Sequence, residues 1–287
     1  MKLNTTMKTL CAAVAFGASA AATAAPFYLD VGVNYGPAWG QVTPTSTSMK
    51  NEFLFLYDSN TTIQDTDGSG SISAGDLLST NGGLAAGGLA SNQITGFNPN
   101  QIFGANSNNG YGDDWMITFK VAGLNGVVTG VTGTGVPLFQ YGPGLLEMFI
   151  TFDGVNYNNF MDIALTGGGA TGVSTVLLGS ADFTNVNAGY TNLFHSGNYT
   201  CGTSSGFFDI WKNCGEGAGE ALEIAFNASF DTNIFTSDFT YDPKTKTFFV
   251  SSNHDGSGTM GIPEPASLAL IGVGLLGLGA MRRRKTV

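Results

Sequence analysis

The sequence predicts an all-β fold, an antiparallel β-sandwich or jelly roll, from three observations. First, the composition holds 42 Gly and 21 Phe, abundant Asn, Thr and Ser, and only 11% charged residues. That mixture is poor helix-forming material and good material for strands and tight turns. Second, apolar residues alternate with polar ones. Trp115, Ile117, Phe119 and Val121 share one face against Thr118 and Lys120, and Leu146, Met148, Ile150 and Phe152 do so around Glu147 and Thr151. Leu222, Ile224, Phe226, Ala228 and Phe230 repeat the pattern around Glu223, Asn227 and Ser229. Third, these runs are separated by Gly/Asn/Asp turns, as expected of strands with one buried face. Further strands are expected at residues 27–33, 53–57, 127–131, 161–165, 173–178 and 248–252, and no helix of normal length.

Both termini are of a different kind. Lys2 and Lys8 precede an apolar stretch over residues 10–22, and Ala22-Thr23-Ala24 supplies an A-x-A cleavage site. This is the pattern of a Sec signal peptide over residues 1–24, too short for a first membrane helix. Cys11 lies inside it and is lost with it. At the other end Pro263-Glu264-Pro265 opens onto an apolar run over residues 266–281, closed by Arg282, Arg283, Arg284 and Lys285. As a helix the run reaches only about 24 Å, short of the ~30 Å hydrocarbon core. Gly272, Gly274, Gly277 and Gly279 weaken it further as a permanent anchor. The cationic cluster holds the C-terminus on the cytoplasmic side and leaves everything before it outside. Such a segment suits recognition in the membrane followed by removal; an ordinary tail anchor is the alternative.

Motif, apolar run and Arg cluster, in that order, resemble the PEP-CTERM sorting signal of Gram-negative bacteria, over residues 262–287. The resemblance implies that an exosortase, an integral-membrane protease, recognises Pro263, Glu264 and Pro265. It further implies transient anchoring in the inner membrane through the C-terminal helix, then loss of the tail on the way to the cell surface or extracellular space. Proteins of this kind are often associated with exopolysaccharide, biofilm and floc, which is a prior on function only. The expected organisation is therefore a signal peptide (1–24), an exported β-sandwich domain (25–260) and a sorting tail (261–287). About 240 residues suffice for one sizeable core; the glycine-rich residues 81–88 are where a boundary would fall if there were two.

Trimming both ends leaves five cations against 21 acidic residues, a net charge near −16. Such a surface repels nucleic acid and anionic lipid and favours divalent cations, so nucleic-acid binding is set aside. Cys201 and Cys214 remain after processing. In an oxidising compartment a disulfide between them is expected, since two cysteines without partnering His or further Cys do not make a zinc site.

The strongest chemical motif spans residues 65–76. Read as a twelve-residue EF-hand-type loop, it places Asp65 and Asp67 at positions 1 and 3, Ser69 at 5 and Gly70 at the sharp turn at 6. The Ser71 carbonyl stands at 7, Ile72 at 8, Ser73 at 9 and Asp76 at 12. Calcium is a hard cation that takes six to eight oxygens, and this order wraps them around one point. Ser69 replaces an acid, Asp76 replaces a longer Glu, and no helix enters, so the loop looks like a solitary dockerin-like half-site of reduced affinity. The competing reading is a metal-free acidic turn. Residues 106–114 and 253–256 are weaker acidic stretches, expected to be surface turns.

Enzymatic signals are thin. Gly272-Val273-Gly274-Leu275-Leu276-Gly277 matches G-x-G-x-x-G but lies in the sorting segment without a βαβ context. Gly202-Thr203-Ser204-Ser205-Gly206 matches G-x-S-x-G with Asp242 and His254 downstream. The elbow needs a helix after the serine, and residues 207–209 read instead as a strand. Glu147, Glu220 and Glu223 are the carboxylates that a glycosidase groove could use. Trp39, Trp211, Tyr157 and Tyr190 could stack on sugar rings, although each reads more readily as core. The sequence thus predicts a non-enzymatic, calcium-stabilised surface or matrix protein; the alternative is a carbohydrate-binding module or glycoside-active enzyme.

Overall fold

A computed structural model describes residues 25–35, 40–99, 109–172, 174–231 and 234–262. The signal peptide, Trp39, the Pro-Glu-Pro tripeptide, the apolar run and the arginine cluster lie outside the described residues.

The chain forms most of the expected strands, several of them longer than expected. Two are shorter, since the strand expected from Leu222 begins only at Ala225 and the one expected over residues 27–33 stops at Leu29. The strands are β1 (Phe27–Leu29), β2 (Glu52–Gln64), β3 (Leu77–Gly83), β4 (Gln93–Asn98), β5 (Met116–Val131), β6 (Pro137–Tyr141) and β7 (Gly144–Thr151). There follow β8 (Asn158–Ala170), β9 (Ser174–Asp182), β10 (Phe194–Ser196), a helix α1 (Phe207–Cys214), β11 (Ala225–Asp231), β12 (Thr240–Asp242) and β13 (Thr247–Gly261).

All pairings between these strands are antiparallel. The path runs β2–β3–β5, then through β6 and β7 side by side to β8, β9, β11 and β13. It closes because β13 pairs with β2 from Thr247↔Gln64 to Gly258↔Phe53. The expected sandwich is therefore corrected to a barrel-like closed sheet. Its physical cause is the length of β13: one edge takes β12 and β11 and the other takes β2, so neither edge stays free. Alternate side chains then face one interior. Phe55 of β2 meets Phe119 of β5 and Phe230 of β11 there, with ring centroids 5.2 and 5.3 Å apart. Glycine serves this closure as well as the turns: a Cβ at Gly258 would fall 2.8 Å from the Phe55 ring.

A polar layer crosses the same interior. Ser59 bonds His254 Nε2 at 2.8 Å, Thr61 bonds Thr80 at 2.9 Å, and Thr80 bonds the Tyr141 hydroxyl at 3.0 Å. Burial pushes the His254 pKa down, against the opposing pull of Asp231. Residues 253–256 are therefore the middle of a barrel strand and not the surface turn expected from Asn, Asp and Gly; pairing with β2 and β11 on both sides overrides the local preference.

A second correction concerns residues 207–209, expected as a strand. They open α1, with Phe207 and Ile210 buried on one face, Asp209 in the first turn and Lys212 in the last, matching the helix dipole. Residues 81–83 lie inside β3, within the closed sheet. Together β1, β10 and α1 cap the end of the barrel where β2 begins. Phe27 packs on Phe53 at 5.0 Å, and Phe194 stacks on Phe160 at 5.5 Å. Among the described residues no helix is long and apolar enough to cross a membrane.

Candidate functional site

The 65–76 loop joins β2 to β3 at the end of the barrel opposite the cap. Two of its carboxylates are pulled inward and one is not: Asp65 and Asp76 are buried, Asp67 is exposed. Ile72, at the position that should anchor the loop, is part of the core. Gly68 and Gly70 both hold φ of 71°, the left-handed conformation that the tight wrap requires of glycine.

Carboxylate oxygens of Asp65, Asp67 and Asp76 lie within 4.8 Å of one another. Asp65 accepts the N–H groups of Gly68 (2.7 Å), Ser69 (3.1 Å) and Gly70 (2.9 Å) and the Tyr241 hydroxyl (3.0 Å). Burial pushes its pKa up, but these donors outweigh burial and hold the carboxyl below the ordinary value. Asp76 accepts the N–H groups of Thr66 and Ser73 at 2.9 and 2.8 Å. Among the described residues no lysine, arginine or histidine forms an ion pair with any of the three.

The donor set fits calcium in kind, being oxygen throughout. In this geometry, however, several expected ligands satisfy one another. The Ser69 hydroxyl donates to the Ser71 carbonyl at 2.9 Å, and the Ser73 hydroxyl donates to Asp67 at 3.2 Å. A cation would have to compete with both contacts.

The cysteines meet as expected. Cys201 and Cys214 are disulfide-bonded, with Cα atoms 6.0 Å apart, tying the C-terminus of α1 to the preceding loop.

A family model for the PEP-CTERM protein-sorting motif matches residues 261–285. The chain carries a PEP-CTERM sorting motif. That places Pro263, Glu264, Pro265, Arg282, Arg283 and Arg284 inside the matched segment, and it implies an exported protein held briefly at the membrane by its C-terminus and processed by an exosortase. No curated protein and no solved structure matches the chain. The motif says nothing of the barrel, whose chemistry must be read from its own residues.

The remaining candidates are dispersed. Ser204 bonds Asp209, His254 bonds Ser59 and the Asp231 carbonyl, and Asp242 accepts the Lys244 N–H, so the G-x-S-x-G serine meets neither proposed partner. Glu147 forms an ion pair with Lys120 at 2.8 Å, while Glu220 and Glu223 are exposed residues between α1 and β11. Trp211 packs against Phe183 and Phe208. Asp113 stands in a turn closed by its N–H on the Gly110 carbonyl.

Two features escaped sequence reasoning. Lys50 is a buried cation, donating to Ser48 at 2.8 Å and to the Pro99 carbonyl at 2.9 Å, and burial pushes its pKa down to about 8. At the cap end a cleft of about 260 Å³ lies between the end of β7 and the segments flanking β1 and β10. It contains Tyr190, one of the aromatics read as core, and Phe152, assigned by alternation to a buried face but 41% exposed. The Asp153-Gly154 pair after Phe152 was the available signal that the strand stops there.

Proposed function

We propose that this is a non-enzymatic, calcium-ordered β-barrel. The Sec route carries it out by way of residues 1–24, an exosortase cuts it from its tail, and it serves in the extracellular polymer matrix, in contact with exopolysaccharide. The sorting motif at residues 261–285 carries the export part of this reading. Three observations support the rest: a net charge near −16 after trimming, the converging carboxylates of the 65–76 loop, and a disulfide in the cap, as suits an oxidising compartment. A divalent cation would relieve the repulsion among Asp65, Asp67 and Asp76, with Ser69, Ser71 and Ser73 as further oxygen ligands, and so order the loop. A site with a Kd of 10⁻⁴–10⁻³ M is filled at extracellular calcium levels.

The test is sorting itself. Glu264→Ala is expected to leave an unprocessed form in the inner membrane, seen as a heavier band that fractionates with membranes. Arrival of this variant at the surface with the wild-type mass would overturn the proposal.

A further inference from the structure

The cap-end cleft has the chemistry of a saccharide subsite, and we infer that it holds one neutral pyranose ring of a longer chain. The inference deepens the matrix reading above, yet it rests on the cleft alone and can fail without it.

Two aromatic rings form the floor. Phe152 and Tyr190 have centroids 6.1 Å apart and planes at 35°, so they open towards each other as a shallow V and do not stack face to face. Neither is enclosed: Phe152 is exposed and Tyr190 is half-buried. An aromatic face carries the negative end of the ring quadrupole. The C–H-rich face of a pyranose, polarised by its ring and hydroxyl oxygens, is the complementary surface. Aliphatic side chains would offer contact area without that polarity.

Polar groups with spare capacity stand beside the rings. Asp30 accepts the Gly32 N–H at 3.0 Å on one oxygen and the Thr43 hydroxyl at 3.2 Å on the other, leaving a lone pair on each. The Asn192 carboxamide and the Tyr190 hydroxyl make no hydrogen bond to protein among the described residues. An acceptor-only carboxylate, an amide and a phenol suit a run of hydroxyls that both donate and accept. Among the described residues that line the cleft Asp30 is the one charged group, so anionic ligands are disfavoured, as they are by the net charge of the domain.

The floor is also pre-organised. Asp153, next to Phe152, accepts the N–H groups of Val155 and Asn156 at 2.9 and 2.7 Å and the Asn156 side-chain amide at 2.6 Å. Those bonds hold its carboxyl down to about 2 and fix the turn that carries Phe152. Gly32 and Gly189 keep the rim free of side chains; Gly32, at φ 73°, could not take one without strain. Rigid contacts bind with less entropy loss than mobile ones.

At about 260 Å³ the cleft falls just under the range for drug-sized ligands, which matches a single sugar ring. By the ligand-efficiency bound, one ring held this way binds with a Kd on the order of 1 mM. The internal cavity lined by Tyr57, Thr80 and Tyr141, about 40 Å³, has room only for a few waters.

The test titrates the exported protein with cellopentaose, mannopentaose and oligogalacturonate of the same length, followed by calorimetry and chemical-shift changes. Saturable binding is expected for at least one neutral oligosaccharide and not for the anionic one. Phe152→Leu and Tyr190→Leu keep bulk and apolarity but remove the aromatic face, so each should weaken binding about fivefold without moving the melting temperature. Asn192→Ala should cost about threefold. No saturation by either neutral oligosaccharide at about 20 mM, twenty times the expected Kd, would overturn the proposal. So would leucine variants that bind as wild type, or oligogalacturonate binding as tightly. None of these outcomes bears on processing of the Glu264 variant, so the two readings stand or fall separately.

Discussion

Where β2 begins, the barrel is covered by a cap of β1, β10 and α1 that holds through buried phenylalanines and one covalent bond. Where β2 ends, it is covered by the 65–76 loop, which holds through hydrogen bonds to carboxylates and buries only Ile72 as an apolar anchor. The first arrangement depends on redox state and packing, and is indifferent to ions. The second depends on the charge around it, because Asp65, Asp67 and Asp76 converge and, among the described residues, form no ion pair with a basic side chain. One strand thus joins two ends that should respond to different perturbations.

Reduction should strike the cap hardest. Cys201 and Cys214 are 13 residues apart, and closing a loop of that size contributes about 3 kcal/mol in the loop-entropy account. The double variant Cys201→Ser/Cys214→Ser should therefore melt roughly 6–12 °C below wild type. Chelator should shift both proteins equally. A chelator effect that vanished with the disulfide would mean that the two ends are coupled, and the comparison would fail.

Lys50 is the cap's electrostatic weakness. Burial pushes its pKa from 10.5 down to about 8, so the folded state binds its proton less tightly than the unfolded state does. Between those values the unfolded chain carries more protons, and stability rises with pH; below about 8 the penalty is fully present. The shift sets a ceiling of about 3 kcal/mol. Lys50→Met removes the penalty but also the hydrogen bonds to Ser48 and Pro99, leaving a net gain of roughly 1–2 kcal/mol at pH 7. Across pH 8–10.5 wild type should gain stability relative to the variant, read as converging denaturant midpoints. Midpoints that stay a constant distance apart over that range would show that the lysine is not desolvated.

The two ends also differed in how far they could be read from sequence. The loop was legible because its carboxylates are spaced along one short segment, and the structure does bring Asp65, Asp67 and Asp76 together. Strands with strong alternation, around Trp115–Val121 and Leu146–Phe152, were legible for the same local reason. The closure was not: β13 finds β2 almost two hundred residues away, and nothing in Asn253-His254-Asp255-Gly256 distinguishes a barrel strand from a turn until both neighbours are in place. β3 hides behind Asn81-Gly82-Gly83, whose turn chemistry outweighed its pairing. The cap hides because β1 and β10 are three residues each and α1 is a short helix whose apolar face depends on the cluster it covers. Likewise Phe152 kept its place in the alternation while the fold turned it out to solvent.

Calcium should act on the loop alone and with the smallest effect. Two buried carboxylates and an exposed one, with oxygens within 4.8 Å, repel one another unless a cation stands between them. Backbone N–H donors offset part of that repulsion at Asp65 and Asp76, and the Ser73 hydroxyl offsets some at Asp67. This self-satisfaction is why the loop can fold without metal and why the gain is modest. An ion bound only by the folded state stabilises it by RT ln(1 + [L]/Kd), about 1.4 kcal/mol at tenfold excess, or roughly 3–6 °C in melting temperature. Chelator should remove that increment from wild type and from the cysteine double variant alike. Asp67→Ala should abolish the increment, since Asp67 is the exposed carboxylate least committed to backbone donors. Asp113→Ala, in the turn before β5, should leave it intact. A melting curve unmoved by millimolar calcium, with no heat of binding in calorimetry, would reduce residues 65–76 to a hydrogen-bonded acidic turn, as self-contained as the one that Asp153 holds at the opposite end.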